Sequence, residues 1–301
     1  MDTEKRIIEI IKEKGPLIGS DLISHFKKDP LMVLRTCKLS PTLKVQTIGT
    51  RYLRLDRRIE GYARLSPSIM REFLTYSVIG LADDPALLIE KADFLIGRIE
   101  KISRGKRDLA YNIVSSLMSR FEYGTKEKAC FIITGDIVFN MAHDVPRPER
   151  STRKVVQGSD MDIVVIVKDD HADSIMDRLD HEIYKEKCNL LISPYTKEEI
   201  DYIVKTVSKV KEQLKFDTFK HMVACKILDE GRFLFGNEEL FNRIKQMLIE
   251  EGIGDKIREM ENKALGFRQR AEEKLLGDNP EQALHDDEFL FYPVEESEEF
   301  E

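Results

Sequence analysis

The segment Gly158-Ser159-Asp160-Met161-Asp162 runs directly into five apolar residues, Ile163-Val164-Val165-Ile166-Val167. A short run of β-branched residues bounded by polar ones is typical of a buried strand. Because residues two apart in a strand point to the same face, Asp160 and Asp162 are expected to present their carboxylates side by side. Two such acids repel each other unless a positive charge lies between them. The segment therefore predicts a covered sheet with a charged site at one strand end.

A divalent cation is the natural partner for this pair of acids. Mg²⁺ prefers carboxylate oxygens together with substrate phosphates, and two such ions can hold the attacking and leaving oxygens of a phosphoryl transfer. The simpler alternative is a pair of turn residues at the start of a buried strand. The six histidines show no H-x-x-x-H or H-E-x-x-H spacing, and the P-loop, Rossmann and G-x-S-x-G motifs are absent from the sequence.

Another apolar run, Ala129–Thr134, predicts a second buried strand, which ends in Gly135-Asp136. Glycine allows the backbone to approach a phosphate closely. The glycine turn and the Gly-Ser-Asp-x-Asp strand together resemble the DNA polymerase β-like nucleotidyltransferase superfamily, and most closely its small bacterial and archaeal members. The stretch 228–240 is similar to a later helix and short strand of that family. The resemblance covers roughly residues 125–245.

This resemblance implies a site and a reaction. It implies that Asp160 and Asp162 are catalytic and bind Mg²⁺ or Mn²⁺. The groups that it implies for binding the phosphates of a nucleoside triphosphate (NTP) are Gly135, Asp136, Gly158 and Ser159. A nucleoside monophosphate would then pass to a hydroxyl acceptor on a nucleic acid, a protein or a small molecule, with release of pyrophosphate.

The sequence departs from the family pattern at the glycine turn and after it. Asp136 stands where the family usually has Ser or Gly, and an anion beside a triphosphate is unfavourable unless it turns away or binds metal. The spacing from Gly135 to Asp160 is also long, and it contains the basic loop Arg147–Lys154. This loop is interpreted either as a binding element for phosphate or acceptor, or as a surface insertion.

A third departure concerns the family's third carboxylate, which lies on the next strand. We predict that strand at Cys188–Ile192, where Asn189 is present instead of an acid. Glu182, Glu199 and Asp201 are substitutes that spacing alone does not place. Without a third acid there is no evident general base to deprotonate the acceptor hydroxyl. The enzyme hypothesis therefore has an alternative, a DNA-binding regulator whose nucleotidyltransferase domain senses nucleotide or is inactive.

The N-terminal region predicts three short helices, at residues 4–13, 20–28 and 30–39, and then a β-hairpin over 43–55. This order is typical of a winged helix-turn-helix, in which the third helix lies in the major groove and the hairpin contacts backbone phosphate. Basic residues occur where that geometry needs them, at Arg35, Lys38, Lys44, Arg51 and Arg54. We expect contact with DNA or RNA, and protein docking is the alternative.

Together these patterns predict an α+β fold in five parts. They are a winged helix over 1–65, a helical connector over 66–124, a nucleotidyltransferase-like mixed sheet with helices over 125–245, C-terminal helices over 246–276 and an acidic tail over 277–301. Inside the third part we predict a helix over 137–142, a polar loop over 144–157, a helix over 171–179, a long helix from Thr196 and a strand over 231–236.

Charge and composition limit the class of protein. The net charge is −7, yet residues 278–301 contain ten acids and no Lys or Arg. This tail is interpreted as a site for a protein partner, a mask for the basic N-terminal surface, or a solvated terminus. No apolar run reaches the ~18 residues of a membrane helix, no signal peptide is evident, and the four cysteines follow no C-x-x-C spacing. We therefore expect a cytoplasmic protein with no membrane contact.

Overall fold

The protein is described by a computed structural model that covers residues 3–122, 124–149, 152–193 and 196–293. Its helices are α1 Thr3–Lys14, α2 Gly19–Ile23, α3 Pro30–Leu39, α4 Ile69–Tyr76, α5 Pro85–Met118, α6 Ala172–Ile192, α7 Val207–Gln213, α8 Phe219–Glu230, α9 Glu238–Glu250, α10 Ile253–Leu276, α11 Pro280–Asp286 and α12 Glu288–Phe291. Its strands are β1 Leu17–Ile18, β2 Leu43–Thr47, β3 Tyr52–Leu55, β4 Ala63–Ser66, β5 Ser77–Leu81, β6 Ala129–Thr134, β7 Pro146–Pro148, β8 Val155–Gln157, β9 Met161–Val167, β10 Ile200–Thr206 and β11 Arg232–Gly236.

The fold is of the mixed α+β class, and the chain divides into two compact units. Among the described residues, unit 1 comprises residues 3–98 with 258–293, and unit 2 comprises those within 99–257. Helices α5 and α10 each contribute residues to both units. Across the described residues, no helix combines the length and apolar character that a membrane crossing needs.

Unit 1 is built on α1, α2 and α3 with an antiparallel sheet in the order β1–β5–β2. The third helix begins as predicted, because the Asp29 carboxylate accepts a hydrogen bond from the Leu31 amide at 2.8 Å and Pro30 occupies the first helical position. Its apolar side packs into a core that also contains Ala271 and Leu275 of α10. Helix α10 is thus part of the same core as the N-terminal helices.

The predicted hairpin over residues 43–55 is wrong. Strand β2 pairs with β5, with Val45 opposite Ile79, while β3 pairs with β4, with Leu53 opposite Leu65. Alternation along a segment predicts a strand but not its partner, and β5 supplies a nearly fully buried partner farther along the chain. The helical connector predicted over 66–124 is not helical throughout, because β5 lies between α4 and α5.

Unit 2 contains a four-stranded sheet in the order β10–β9–β6–β11. Strand β9 is antiparallel to β6 and parallel to β10, and the parallel connection is made by the 21-residue helix α6. One face of the sheet, which includes Phe131, Ile163 and Val165, forms a core with residues of α5 and α6. The strands predicted over 129–134, 162–167 and 231–236 are confirmed.

Three other predictions in unit 2 are wrong, and they bear on the site. The predicted strand Cys188–Ile192 is the last part of α6, and the predicted helix from Thr196 contains β10. The predicted helix over 137–142 is only a single 3-10 turn, Gly135–Ile137. The polar loop over 144–157 contains a small hairpin of β7 and β8. In the acidic tail, α11 and α12 are formed, and residues 294–301 lie outside the described residues.

Candidate metal centre

Three aspartates meet at one end of the sheet in unit 2. Asp162 on β9 lies opposite Asp201 on β10 in the parallel register, so both side chains leave the same face of the sheet. Asp160 precedes Asp162 by two residues and joins the same face. One carboxylate oxygen from each of the three lies within 4.8 Å of the other two, and all three residues are half-buried. Sequence reasoning placed Asp160 and Asp162 together correctly.

Two basic side chains and a fourth acid surround this cluster. The Arg147 Nη2 atom lies 3.2 Å from Asp160 Oδ2 and 3.0 Å from Glu199 Oε2. The Lys187 Nζ atom lies 2.5 Å from Asp201 Oδ1 and 3.9 Å from Glu199 Oε1. Arg147 is fixed further because its Nε donates to the Gly158 carbonyl at 2.8 Å. The basic loop that the sequence singled out therefore delivers one arginine to the acids.

The burial of these groups changes their protonation. Burial, followed by the charges of Asp201 and Asp160, raises the pKa of Glu199 to about 7. For Arg147 and Lys187, burial disfavours the charged form. The neighbouring carboxylates outweigh it and raise the pKa of both basic groups. Both basic side chains therefore stay charged.

This donor set fits a divalent cation. Its oxygens are all carboxylate oxygens, which Mg²⁺ and Mn²⁺ accept readily. When all of them are ionised, the four acids outnumber the two basic groups by two negative charges. One divalent ion would neutralise that excess. Asp160, Asp162 and Asp201 are the residues that would hold it.

The glycine turn after β6 lies against the cluster. Gly135 has φ +72°, and a Cβ atom built on it would overlap the Asp162 carboxylate. Only glycine satisfies both conditions. The Gly135 amide donates to Glu230 Oε1 at 3.3 Å, and Glu230 pairs with Lys226 at 2.8 Å. The turn thus presents its amide to a carboxylate group, which is the kind of contact expected for an anionic ligand.

The other residues predicted to bind phosphate have partners within the protein. The Ser159 hydroxyl donates to Asp136 Oδ2 at 2.6 Å and accepts from the His143 amide at 3.2 Å. Asp136 is buried, so its carboxylate turns to Ser159. Gly158 has φ +68°, and a Cβ there would overlap the His143 carbonyl. These residues shape the loop beside the acids, and their contact with phosphate stays a prediction.

The basic residues predicted to bind nucleic acid lie in unit 1, and several of them already contact other groups of that unit. Arg35 donates to the carbonyls of Leu275 and Gly277 at 3.0 and 2.9 Å. Lys38 and Arg51 both contact Glu272 of α10, and Arg51 also pairs with Glu72 at 2.6 Å. Arg54 is buried on β3, whereas Lys44 is exposed on β2. Three of the five basic groups therefore bind segments of the same unit.

Sequence reasoning named Asp201 only as one of three substitutes, and it missed the roles of Lys187 and Arg147 as counter-charges. The sequence does carry a signal for β10, because Ile200 to Val204 is rich in β-branched and aromatic residues. Ile200, Ile203 and Val204 also have helical spacing, so the local pattern does not distinguish a strand from a helix. Lys187 has no local signal, because it comes from the far end of the α6 crossover.

Comparison of the chain with models of known protein families, with curated proteins and with solved structures finds no match in any of the three.

Proposed function

We propose that the protein is a Mg²⁺- or Mn²⁺-dependent nucleotidyltransferase that moves a nucleoside monophosphate from an NTP to a hydroxyl acceptor. The observation that carries this proposal is the meeting of Asp160, Asp162 and Asp201 on adjacent strands beside a glycine turn. An excess of half-buried acids at one end of a sheet is costly to fold unless a cation offsets their charge. An enzyme that handles polyphosphates has such a use for it.

The position of Asp201 supports the resemblance to the polymerase β-like superfamily. That pattern has a glycine turn after one strand, an Asp-x-Asp pair on a second and a third acid on the next strand. In this chain the three features fall on β6, β9 and β10, which are neighbours in one sheet. Asp201, one of the three substitutes that spacing alone does not place, is thus available on the strand next to β9.

In this proposal each protein group has a defined task. The bound cation would offset the charge of the triphosphate oxygens. Asp201 would accept the proton of the acceptor hydroxyl as its oxygen bonds to the α-phosphorus, while the bond to the pyrophosphate oxygen breaks. Arg147 and Lys187 would offer charged donors to phosphate oxygens, because guanidinium and ammonium groups bind them strongly. Pyrophosphate would leave with the charge that builds up on the bridging oxygen.

The winged-helix interpretation of unit 1 is also a proposal. Three helices and the β1–β5–β2 antiparallel sheet support it, with residues 48–76 forming a large insertion in place of a simple wing. The regulator alternative loses support, because Arg35 and Lys38 on the third helix contact α10 or the residues just after it. Lys44 is exposed on β2, and its contact with phosphate would weaken steeply with salt.

The test of the enzyme uses labelled ATP, GTP, CTP and UTP with Mg²⁺ and total RNA, protein or small-molecule extract as acceptors. The wild type is compared with Asp160→Asn, Asp162→Asn and Asp201→Asn, which keep the size of each side chain. Asp177→Asn, on the exposed side of α6, removes the same charge elsewhere in unit 2. We expect transfer in the wild type and the Asp177 variant only. Transfer that survives in all three cluster variants would contradict the proposal.

A further inference from the structure

A cavity of about 280 Å³ lies in unit 2 between α5 and the segment that follows the Gly135 turn. Its lining residues are Glu100, Ser103, Arg104, Arg107, Ile137 and Asn140. Binding pockets for small molecules span about 300–1,000 Å³, so this cavity lies just below that range and suits a single group such as a phosphate. Four of the six lining residues are exposed, so the cavity is open to solvent.

Two arginines dominate the charge of this cavity. Arg104 and Arg107 are three residues apart on α5 and therefore lie on the same side of the helix. In the part of the chain that the structure describes, neither guanidinium makes a hydrogen bond or an ion pair. Glu100 is the opposing acid in the lining, so the cavity keeps an excess of one positive charge. Adjacent guanidinium groups with free donors match the geometry of a phosphate group.

Asn140 lines the cavity from the segment that follows the Gly135 turn, and it supplies a further hydrogen-bond donor. Its backbone has φ +55°, which asparagine adopts more readily than most residues. Its side chain is exposed, and its carboxamide can both donate and accept hydrogen bonds. The cavity therefore combines charged and neutral donors around one opening.

The same helix connects this cavity to the metal centre. The Ser103 hydroxyl accepts from the Ala142 amide at 3.1 Å, and Lys106 donates to the Gln157 carbonyl at 2.8 Å and pairs with Glu198. These contacts fasten α5 to the loop after the glycine turn and to the residues that precede Asp160 and Glu199. Arg104 and Arg107 follow these anchors by one residue each. The cavity is thus held at a fixed distance from the three aspartates.

We propose that this cavity binds a backbone phosphate of the acceptor, and that the acceptor is a single-stranded nucleic acid. The inference rests on the proposed function, because it assigns the second substrate of that reaction. The triphosphate of the donor belongs at the aspartates, where Arg147 and Lys187 provide the counter-charges. The cavity lies outside that set of residues. Its open, polar lining suits a single-stranded nucleic acid that passes across it. Such nucleic acids are bound largely by basic groups that contact the sugar-phosphate backbone.

The test measures the binding of a fluorescein-labelled single-stranded RNA of about 12 nucleotides, a length within the usual site size. Full-length protein is used with EDTA, so that the result does not depend on metal or transfer. The variant Arg104→Gln with Arg107→Gln is compared with Lys211→Gln with Arg243→Gln, which removes two exposed charges elsewhere in unit 2. We expect the first pair to weaken binding at least about tenfold, and the second to have a much smaller effect.

The salt dependence gives a second readout that a structural role would not change. Loss of two phosphate contacts should reduce the slope of log K against log salt by about 1.4. An equal loss in both double variants, or no binding by the wild type, would overturn the proposal. Competition by ATP or pyrophosphate that disappears in the Arg104 and Arg107 variant would assign the cavity to the donor instead. Failure of label transfer with intact strand binding would contradict only the proposed reaction.

Discussion

Asp162 and Asp201 lie directly opposite each other in the parallel pairing of β9 and β10. This relationship completes the cluster that Asp160 begins, because the three carboxylates then share one end of the sheet. The register makes the third acid a fixed part of the site, since a shift of one residue would turn Asp201 to the other face. The site can therefore be tested one acid at a time.

The first prediction concerns Asp201. Replacement by Asn keeps the size of the side chain but removes one anionic donor, so divalent ion binding should weaken as much as it does for Asp162→Asn. A loss of at least about tenfold is expected, which corresponds to about 1.4 kcal/mol. Mn²⁺ binding followed by titration calorimetry measures it, with Asp177→Asn as the control. Unchanged affinity in the Asp201 variant would show that the cluster does not act as one site.

The second prediction concerns Arg147, whose guanidinium forms ion pairs with both Asp160 and Glu199. The positive charge of the Arg147 guanidinium repels a metal ion at the same acids. Arg147→Gln should therefore raise the affinity for Mn²⁺ about three- to tenfold. The same change should weaken NTP binding in the presence of Mn²⁺, because a donor to phosphate is lost. Arg153→Gln, an exposed position on the same loop, serves as the control. A fall in Mn²⁺ affinity would show instead that Arg147 holds the site together.

The third prediction concerns Gly135. In Gly135→Ala the new methyl group meets the Asp162 carboxylate in a backbone conformation that alanine disfavours. We expect a loss of about 1 kcal/mol or more in the free energy of unfolding and a clear loss of Mn²⁺ affinity. Gly252→Ala separates the two effects, because Gly252 has φ +62° but no atom within 4 Å of the added group. That variant should lose stability and keep metal binding. Equal metal affinity in both variants would contradict the close approach.

The fourth prediction is a dependence of stability on pH that Lys205 causes. Burial lowers the pKa of this lysine to about 8, and its Nζ donates to Gln213 Oε1 at 2.8 Å. The unfolded chain has the ordinary, higher pKa and binds more protons above pH 8, so the contribution of Lys205 to folding stability should rise between about pH 8 and pH 10.5. Lys205→Met should remove this rise, while Lys211→Met on the exposed side of α7 should keep it. Urea denaturation across that range measures the difference, and parallel curves for the wild type and Lys205→Met would refute the prediction.

The fifth prediction concerns Arg268, whose side chain is only 2% exposed. Its guanidinium donates to the Pro67 carbonyl at 2.6 Å and contacts Glu72 and Glu272 at 2.9 and 2.7 Å. Arg268→Met leaves these acids short of a buried partner and should cost about 3 kcal/mol of stability. Arg270→Met, two residues away and exposed, should cost far less. Similar denaturation midpoints for the two variants would show that the buried network contributes little.

Local sequence patterns predicted the elements that carry the Asp160 and Asp162 pair. Buried apolar runs next to glycine or acidic residues indicate β6 and β9, two flanking glycines indicate β11, and the Asp29-Pro30 start indicates α3. These signals lie within about ten residues of one another. They therefore do not depend on how the rest of the chain folds.

Local sequence patterns do not determine which strands pair with each other. Residues 43–55 read as one hairpin, yet their strands pair with separate later segments, β5 and β4. In unit 2, the apolar residues at the end of α6 have the pattern of a strand, so local spacing does not identify Asp201 as the third acid. Apolar residues at Ile200, Ile203 and Val204 fit both a helix and a strand, and only packing against β9 decides between them. Long-range contacts of this kind determine which acids share a site.

The crossover made by α6 makes the complete cluster of three aspartates dependent on the folding of unit 2. Asp160 and Asp162 lie together at the start of β9, but Asp201 reaches them only after α6 has folded back and β10 has joined the sheet. A cation that needs all three carboxylates would bind the folded unit 2 and would not bind the unfolded chain. The ion would then protect unit 2 from proteolysis in proportion to its concentration, and a cell poor in that metal would lose the protein faster than one that is well supplied.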